Sequence, residues 1–107
     1  MSGREILLAK LDKTRPVVVL TRATARPVMT KVTVAPITST VKGLSSEVPV
    51  GPENGLDQVG AIAVDNVVTI PHALLGRTVG YLSDAQERRL AIAIVLAYDL
   101  DIPLLAD

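Results

Sequence analysis

The chain has 107 residues, with no cysteine, one histidine and equal numbers of basic and acidic side chains, so its formal net charge is zero. This composition excludes disulfides, thiolate chemistry and the usual zinc sites, which need several Cys or His ligands. Apolar residues make up 49% of the chain, but the longest apolar run, residues 91–98, is far shorter than the roughly 20 residues of a membrane span. We therefore expect a single cytoplasmic domain, residues 1–107, without a membrane segment and with part of its apolar surface covered by a second copy or a partner.

Six short runs rich in Val and Ile predict strands separated by turns. In chain order they are residues 5–11, 16–20, 31–38, 47–50, 61–70 and 77–82. The second run has no polar residue, which is typical of a strand buried on both faces. Pro36 interrupts the third run, so we expect an edge or a bulge there. A bulge would redirect Thr38 toward the end of the sheet that carries Arg15.

One helix is predicted near the C-terminal end of the chain. Ser83 and Gln86 have the spacing of a capping box, so the helix should cover Asp84–Tyr98. Its second half is apolar nearly all round and predicts burial on more than one side, although that segment would also fit a strand. A single helical turn is expected at residues 71–76, with the lone His72 as a surface or packing residue. The expected fold is therefore α+β: a small, strongly bent antiparallel sheet or barrel of about six strands with one helix packed on it.

The charges are divided unequally along the chain. Residues 1–42 hold eight basic and two acidic side chains, whereas residues 43–107 hold three basic and nine acidic ones. This division gives either a positive face that can meet phosphate groups or, if the two halves intermix in the fold, no patch at all. Tyr81 and Tyr98 are the only aromatic residues. A nucleic acid would therefore be held by phosphate contacts and hydrogen bonds to base edges rather than by stacking.

Arg15 and the polar cluster at residues 38–40 are the strongest candidates for chemistry. Pro16 holds Arg15 in an extended conformation, and the planar guanidinium suits the oxygens of a phosphate. Arg15 could equally pair with Asp12, while the Thr and Ser side chains of the cluster serve as ordinary turn residues. The residues alone leave both interpretations open.

The chain resembles the MazF/PemK family of toxin endoribonucleases from bacterial toxin–antitoxin pairs. The segments that carry the resemblance occur in family order and cover nearly the whole chain: EILLAKL, TRPVVVLTR, TVAPITSTVKGLSSEVPV, AVDNVVTI and LLGRTVGYLSDAQ. The resemblance implies an SH3-like barrel with a C-terminal helix, as in MazF and CcdB, and a homodimer. It also implies metal-independent, sequence-selective cleavage of single-stranded RNA, in which the 2′-hydroxyl attacks the adjacent phosphorus.

The same resemblance implies roles for individual residues. The conserved Arg of the family's RPV motif corresponds to Arg15, and the conserved Thr of its PITS/T motif corresponds to Thr38. Arg15 would stabilise the extra charge of the phosphorane, and the Thr38 hydroxyl would bind a phosphate oxygen or orient the nucleophile. No cofactor or metal is implied. Six further residues are expected to contact RNA: Lys13, Thr14, Ser39, Thr40, Lys42 and Asp65.

The chain departs from the family pattern at several places. The opening Arg-Gly order is reversed at Gly3-Arg4, and the loop between the first two strands, which usually covers the RNA, is reduced to about residues 12–14. Ala63 stands where some members carry the Arg of an Arg-x-Asp pair, of which only Asp65 remains. The shortened loop leaves open an inactive homologue that binds only an antitoxin or RNA. A protein-binding toxin, as the related CcdB toxins bind DNA gyrase, is a further alternative, although CcdB-like chains lack the RPV and PITS/T pair. A MazE-like antitoxin should have a tail rich in acidic and apolar residues, because the basic face needs a countercharge.

Overall fold

The computed structural model describes residues 3–101, which form seven strands and one α-helix. The strands are β1 Glu5–Lys10, β2 Thr14–Val19, β3 Lys31–Thr38, β4 Glu47–Val50, β5 Gly60–Ala63, β6 Val68–Pro71 and β7 Leu75–Tyr81. The helix α1 covers Asp84–Ala97. Short 3-10 turns at residues 26–28, 52–54, 64–66 and 72–74 connect these elements.

All strand pairs are antiparallel, in the order β4-β5-β3-β2-β1-β7, with β6 beside the first half of β3. The strand β3 changes partner along its length, since residues 31–34 pair with β6 and residues 37–38 pair with β5. Pro36 lies between those two ladders, where its missing N–H costs no backbone pair on that side. Its pairing with Val17 of β2 continues without a shift in register. Of the two alternatives predicted at Pro36, an edge or a bulge, the structure shows a local edge, because neither β6 nor β5 pairs with this residue.

The predicted α+β class with a terminal helix is confirmed, with two differences in the sheet. The 3-10 turn at residues 64–66 divides the fifth predicted run into β5 and β6, which gives seven strands instead of about six. Within residues 3–101 no backbone pairing joins β4 to β7, so the sheet does not close into a barrel. Side chains bridge the gap instead. Asn54 Nδ2 donates to the carbonyl of Tyr81 at 2.9 Å, and Gln86 Nε2 donates to the carbonyl of Pro49 at 3.1 Å.

The predicted capping box starts α1. Ser83 Oγ accepts the backbone N–H of Gln86 at 3.1 Å, and Gln86 Oε1 accepts the backbone N–H of Ser83 at 2.9 Å. The Gln86 amide also exchanges two hydrogen bonds with the amide of the buried Asn54, at 2.7 and 3.0 Å. The first turn of the helix is therefore joined to the turn after β4 through fully bonded polar groups.

The second half of α1 is less buried than its composition predicts. Leu90 and Ala93 are buried against the sheet, whereas Ile92 is 50% exposed and Leu96 is 53% exposed. The helix therefore packs through one face only, and its other apolar side chains stay on the surface. No helix in the described part of the chain combines the length and hydropathy that crossing a bilayer requires.

Alternating residues of the central strands face two separate hydrophobic clusters. Val18 packs in the cluster that includes Leu90 of α1, whereas Val17 and Val19 pack in the cluster on the other face. All three valines are at most 2% exposed, which confirms a strand buried on both faces. Because side chains alternate along a strand, Arg15 and Thr38 continue the face that is turned away from α1.

Candidate active site

Arg15 and Thr38 lie at the same end of the neighbouring strands β2 and β3. The ladder between these strands ends at Val17 and Pro36, and Arg15 and Thr38 each lie two residues beyond it. Both residues line the same two cavities. Both side chains are half-buried, and the sequence expectation that they meet at one end of the sheet is met without a bulge.

Arg15 and Thr38 form a wall shared by two cavities of about 400 Å³ each. The first cavity is also lined by Lys13 and Ser39, and its far wall consists of residues 55–60 and Arg77. The second cavity is lined by residues that include Leu11, Asp12, Asn66 and Val68. Volumes of this size are in the range of small-molecule and nucleotide sites.

An ion pair with Asp12 orients the Arg15 guanidinium. Arg15 Nε donates to Asp12 Oδ1 at 2.9 Å, and Arg15 Nη2 donates to Asp12 Oδ2 at 3.0 Å. The hydrogen bonds from Arg15 hold the pKa of Asp12 well below its usual range, and the same bonds raise the pKa of Arg15. Both groups therefore stay charged at neutral pH. Because a guanidinium has five N–H donors, the remaining ones can still bind a phosphate.

The Thr38 side chain takes part in a local turn. Its Oγ1 accepts the backbone N–H of Thr40 at 3.0 Å. With this acceptor position occupied, the hydroxyl proton of Thr38 is left to donate elsewhere. The local bonds of the second interpretation, the Arg15–Asp12 pair and the turn at Thr38, are therefore present, and each leaves donors that can face the cavity.

The structure brings together only part of the expected RNA-contacting set. Two of those residues line the first cavity: Lys13 and Ser39. Four line neither cavity: Thr14, Thr40, Lys42 and Asp65. The carboxylate of Asp65 accepts a hydrogen bond from Ser46 Oγ, and the backbone N–H of Lys42 donates to Glu47. These two residues therefore stand in the framework of the loop that follows β3.

Sequence reasoning missed the far wall of the first cavity, formed by residues 55–60 and Arg77. Gly55 sets this wall against β7: its φ is +86°, and a Cβ there would lie 2.1 Å from the carbonyl oxygen of Val79. The available signals are the polar pair Asp57-Gln58 between two apolar residues and the charged side chain of Arg77 at the start of the strand predicted at residues 77–82.

A buried carboxylate organises the loop between β3 and β4. Glu47, 6% exposed, accepts the backbone N–H groups of Lys42, Gly43 and Leu44 at 2.8–3.2 Å. Burial by itself would raise the pKa of Glu47, but these N–H groups outweigh it and lower the pKa below its usual value. The loop is therefore a compact unit tied to one side chain, and the sequence pattern alone identified it only as a turn.

His72 does not belong to the site. It belongs to the 3-10 turn before β7, its backbone N–H donates to the carbonyl of Thr30 at 2.8 Å, and its side chain is exposed. It lines neither cavity, so it is a surface residue, as predicted. The helical turn expected up to Gly76 is shorter than predicted, because β7 begins at Leu75. Among residues 3–101, no three His, Cys, Asp or Glu side chains come together as a metal site requires.

The antiparallel sheet with its terminal helix is the fold of a class of bacterial toxins. The model of the PemK-like, MazF-like toxins of type II toxin–antitoxin systems matches residues 4–97, and the chain belongs to this family. Endoribonuclease MazF3 of Mycobacterium tuberculosis is 56% identical over 98 residues, which cover 92% of this chain and 95% of the relative. The structure of the Mycobacterium tuberculosis toxin MazF-mt6 matches with a TM-score of 0.90 and 56% identity, over 92% of this chain and 100% of that chain. A MazE–MazF complex from Deinococcus radiodurans shares the fold with a TM-score of 0.76 at 16% identity, over 94% of this chain and 97% of that chain.

Proposed function

We propose that this toxin is an endoribonuclease that cuts single-stranded RNA at short sequence motifs without a metal ion. The observation that carries the proposal is the shared cavity wall formed by Arg15 and Thr38 on neighbouring strands. The name of its 56%-identical relative, an endoribonuclease, supports the same activity.

The proposed reaction is attack of the 2′-hydroxyl on the adjacent phosphorus. A bond forms between the 2′-oxygen, which loses its proton to solvent, and phosphorus. The bond to the 5′-oxygen breaks and that oxygen takes up a proton from solvent, so the products carry a 2′,3′-cyclic phosphate and a 5′-hydroxyl. The phosphorane gains negative charge, and a fixed cation beside it lowers the barrier. Arg15 suits this task, because the hydrogen bonds to Asp12 raise its pKa further. A guanidinium does not release a proton near neutral pH, so Arg15 acts through charge and position.

Thr38 supplies a second donor in this mechanism. Because its Oγ1 accepts the Thr40 N–H, its own O–H is available to a non-bridging phosphate oxygen or to the nucleophile. The guanidinium of Arg15 and this hydroxyl would then contact one phosphate from neighbouring strands. Lys13 and Ser39, in the same cavity, would hold the adjoining part of the RNA.

Cleavage of a long unstructured RNA in the presence of EDTA tests the proposal. We expect discrete fragments with 5′-hydroxyl ends, and Arg15→Ala or Thr38→Val should lower kcat/KM at least about a hundredfold. Thr69→Val, at an exposed threonine of β6 that lines neither cavity, is the matched control and should cut normally. The proposal fails if several RNAs stay intact, or if Arg15→Ala retains full activity.

We propose that residues 1–107 form a single domain and that two copies of it form a homodimer. The dimer would act in the cytoplasm, where its RNA substrate is. Support for self-association comes from the apolar side chains that α1 leaves half exposed, such as Ile92 and Leu96. We also propose a MazE-like antitoxin whose tail is rich in acidic and apolar residues. Such a tail would complement the basic side chains Lys13, Arg15 and Arg77 of the first cavity.

A further inference from the structure

The β2–β3 loop carries an exposed basic surface at the end of the sheet opposite the candidate active site. Arg22 and Lys31, which we call the loop cations, are both exposed, one near each end of the loop. They belong to a stretch of sequence, residues 13–46, that contains six basic and no acidic side chains. This stretch begins beside the cavity and includes both strands, β2 and β3, that present Arg15 and Thr38.

The loop has a defined conformation. The backbone N–H of Ala25 donates to the carbonyl of Arg22 at 3.1 Å, and that of Val28 donates to the carbonyl of Ala25 at 3.2 Å. Arg26 is turned inward, with its side chain 24% exposed and Nη1 4.0 Å from Glu5 Oε1, so it anchors the loop to β1.

The loop cations differ from Arg26 in having no carboxylate partner. Within residues 3–101, no carboxylate oxygen lies within 4.0 Å of the charged nitrogens of Arg22 or Lys31. Their charges are therefore presented to solvent and are not neutralised by a neighbour. An exposed pair of cations on an ordered loop suits a polyanion, since each can meet one phosphate.

We propose that Arg22 and Lys31 form an exosite for the sugar–phosphate backbone of RNA outside the cleavage motif; this rests on the proposed function. Lys31 and Thr38 are the two ends of β3, so at about 3.3 Å per residue they are at most about 23 Å apart, and their side chains leave opposite faces of the strand. An RNA that contacts both must therefore be longer than about seven stacked nucleotides of about 3.4 Å each. Phosphate contacts carry no sequence information. The exosite therefore strengthens the binding of long RNA without changing the motif that is cut.

Binding of labelled RNAs to the Arg15→Ala protein tests the exosite without cleavage. The RNAs share one cleavage motif and increase in length on both sides of it. Adding Arg22→Ala and Lys31→Ala should leave the affinity for the shortest RNAs unchanged and weaken binding of the long ones. Each phosphate contact on a single strand adds about 0.7 to the slope of log affinity against log salt, so the slope should fall by about 1.4. A fourfold rise in salt concentration should then lower the affinity of the Arg15→Ala protein for long RNA about sevenfold more than that of the triple variant.

Two controls separate the loop cations from net charge. The exchange Arg22→Lys with Lys31→Arg keeps both charges and should bind long RNA as the parent does. Arg88→Ala with Arg89→Ala removes two exposed charges from α1 and should not reproduce the length dependence. The exosite is overturned if short and long RNAs weaken equally, or if the salt slope is unchanged.

The same loop presents Val28, 85% exposed, and Met29, which a protein partner would cover. If Arg22→Ala with Lys31→Ala abolishes antitoxin binding but leaves RNA binding unchanged, this surface binds a protein and the exosite is overturned. Cleavage of the short RNAs by the protein with intact Arg15 tests the nuclease separately. Length-dependent binding without any cleavage would support the exosite and overturn the proposed nuclease.

Discussion

Arg15 and Thr38 are each held by a short-range partner that leaves other donors unused. Asp12 takes one edge of the guanidinium, and the Thr40 N–H takes an acceptor position of the Thr38 hydroxyl. These local bonds do not compete with phosphate binding, because they use different atoms from those proposed to face the substrate. In the proposed reaction, they would fix the orientation of the remaining donors before RNA binds and so reduce the reorganisation that catalysis requires.

The role of Asp12 as an orienting residue leads to a prediction. Asp12→Ala should lower kcat/KM for RNA about ten- to hundredfold, because an unrestrained guanidinium loses the reactive geometry. The melting temperature should change little, since the pair is exposed and such pairs contribute little stability. Asp12→Asn, which keeps Oδ1 as an acceptor, should have a kcat/KM between those of the wild type and Asp12→Ala. Oligonucleotide cleavage and thermal unfolding provide the measurements, with the exposed Glu53→Gln as control. Wild-type activity in Asp12→Ala would remove Asp12 from the mechanism.

The strands and loops are joined at two places by side chains instead of backbone ladders. The amides of Asn54 and Gln86 bridge β4, β7 and the start of α1. The Glu47 carboxylate similarly gathers the N–H groups of the β3–β4 loop. In both cases one or two polar side chains satisfy several backbone groups that no strand partner reaches. The loop directly after Thr38 therefore depends on a single titratable group.

That dependence predicts how the β3–β4 loop responds to pH. The pKa of Glu47 is lower in the folded chain than its ordinary value, so its contribution to stability is complete above about pH 4.3 and is lost as the pH falls through the folded pKa. As the Glu47 carboxylate is protonated, protection of the Lys42, Gly43 and Leu44 amides from hydrogen exchange should also fall. Glu47→Gln should show weak protection at every pH, whereas Glu53→Gln should follow the parent. Protection that does not change on acidification would contradict the assigned role.

Packing of the helix on the sheet leaves many large apolar side chains of the molecule exposed. Eleven large hydrophobic side chains of the described residues are exposed, and four of them lie on α1 or just after it: Ile92, Leu96, Tyr98 and Leu100. The one-sided packing of α1 accounts for this group. Contiguous apolar patches on small proteins mark interaction surfaces, and for this chain we assign this one to the proposed homodimer.

Sedimentation of a helix-surface variant tests that assignment. Ile92→Asp with Leu96→Asp should convert the dimer to a folded monomer, because two buried carboxylates would face the partner without countercharges. Ala85→Asp, which adds a charge at an exposed position in the first turn of α1, is the control and should remain dimeric. Circular dichroism distinguishes a monomer from an unfolded chain. A persistent dimer in the double variant would show that another surface mediates association.

The local features of this protein could be read from its sequence. The start of α1 was predicted from two residues three apart, Ser83 and Gln86. The burial of β2 on both faces was predicted from an unbroken run of valines. The Arg15–Asp12 pair is likewise a contact between near neighbours, which the sequence offered as one of two interpretations. Each of these three features shows in residues that are close together in the sequence, so residue type and spacing are enough to predict it.

Tertiary structure alone decided which distant segments meet. It determined that β3 changes partner at Pro36, that two amides bridge the gap between β4 and β7, and that residues 55–60 and Arg77 form the far wall of the cavity. It also determined that Asp65 lies in the framework of a loop, outside both cavities. These outcomes depend on strand register and on contacts between residues far apart in the chain. An alternation of apolar and polar residues specifies which face of a strand is buried, but it does not specify which strand lies beside it.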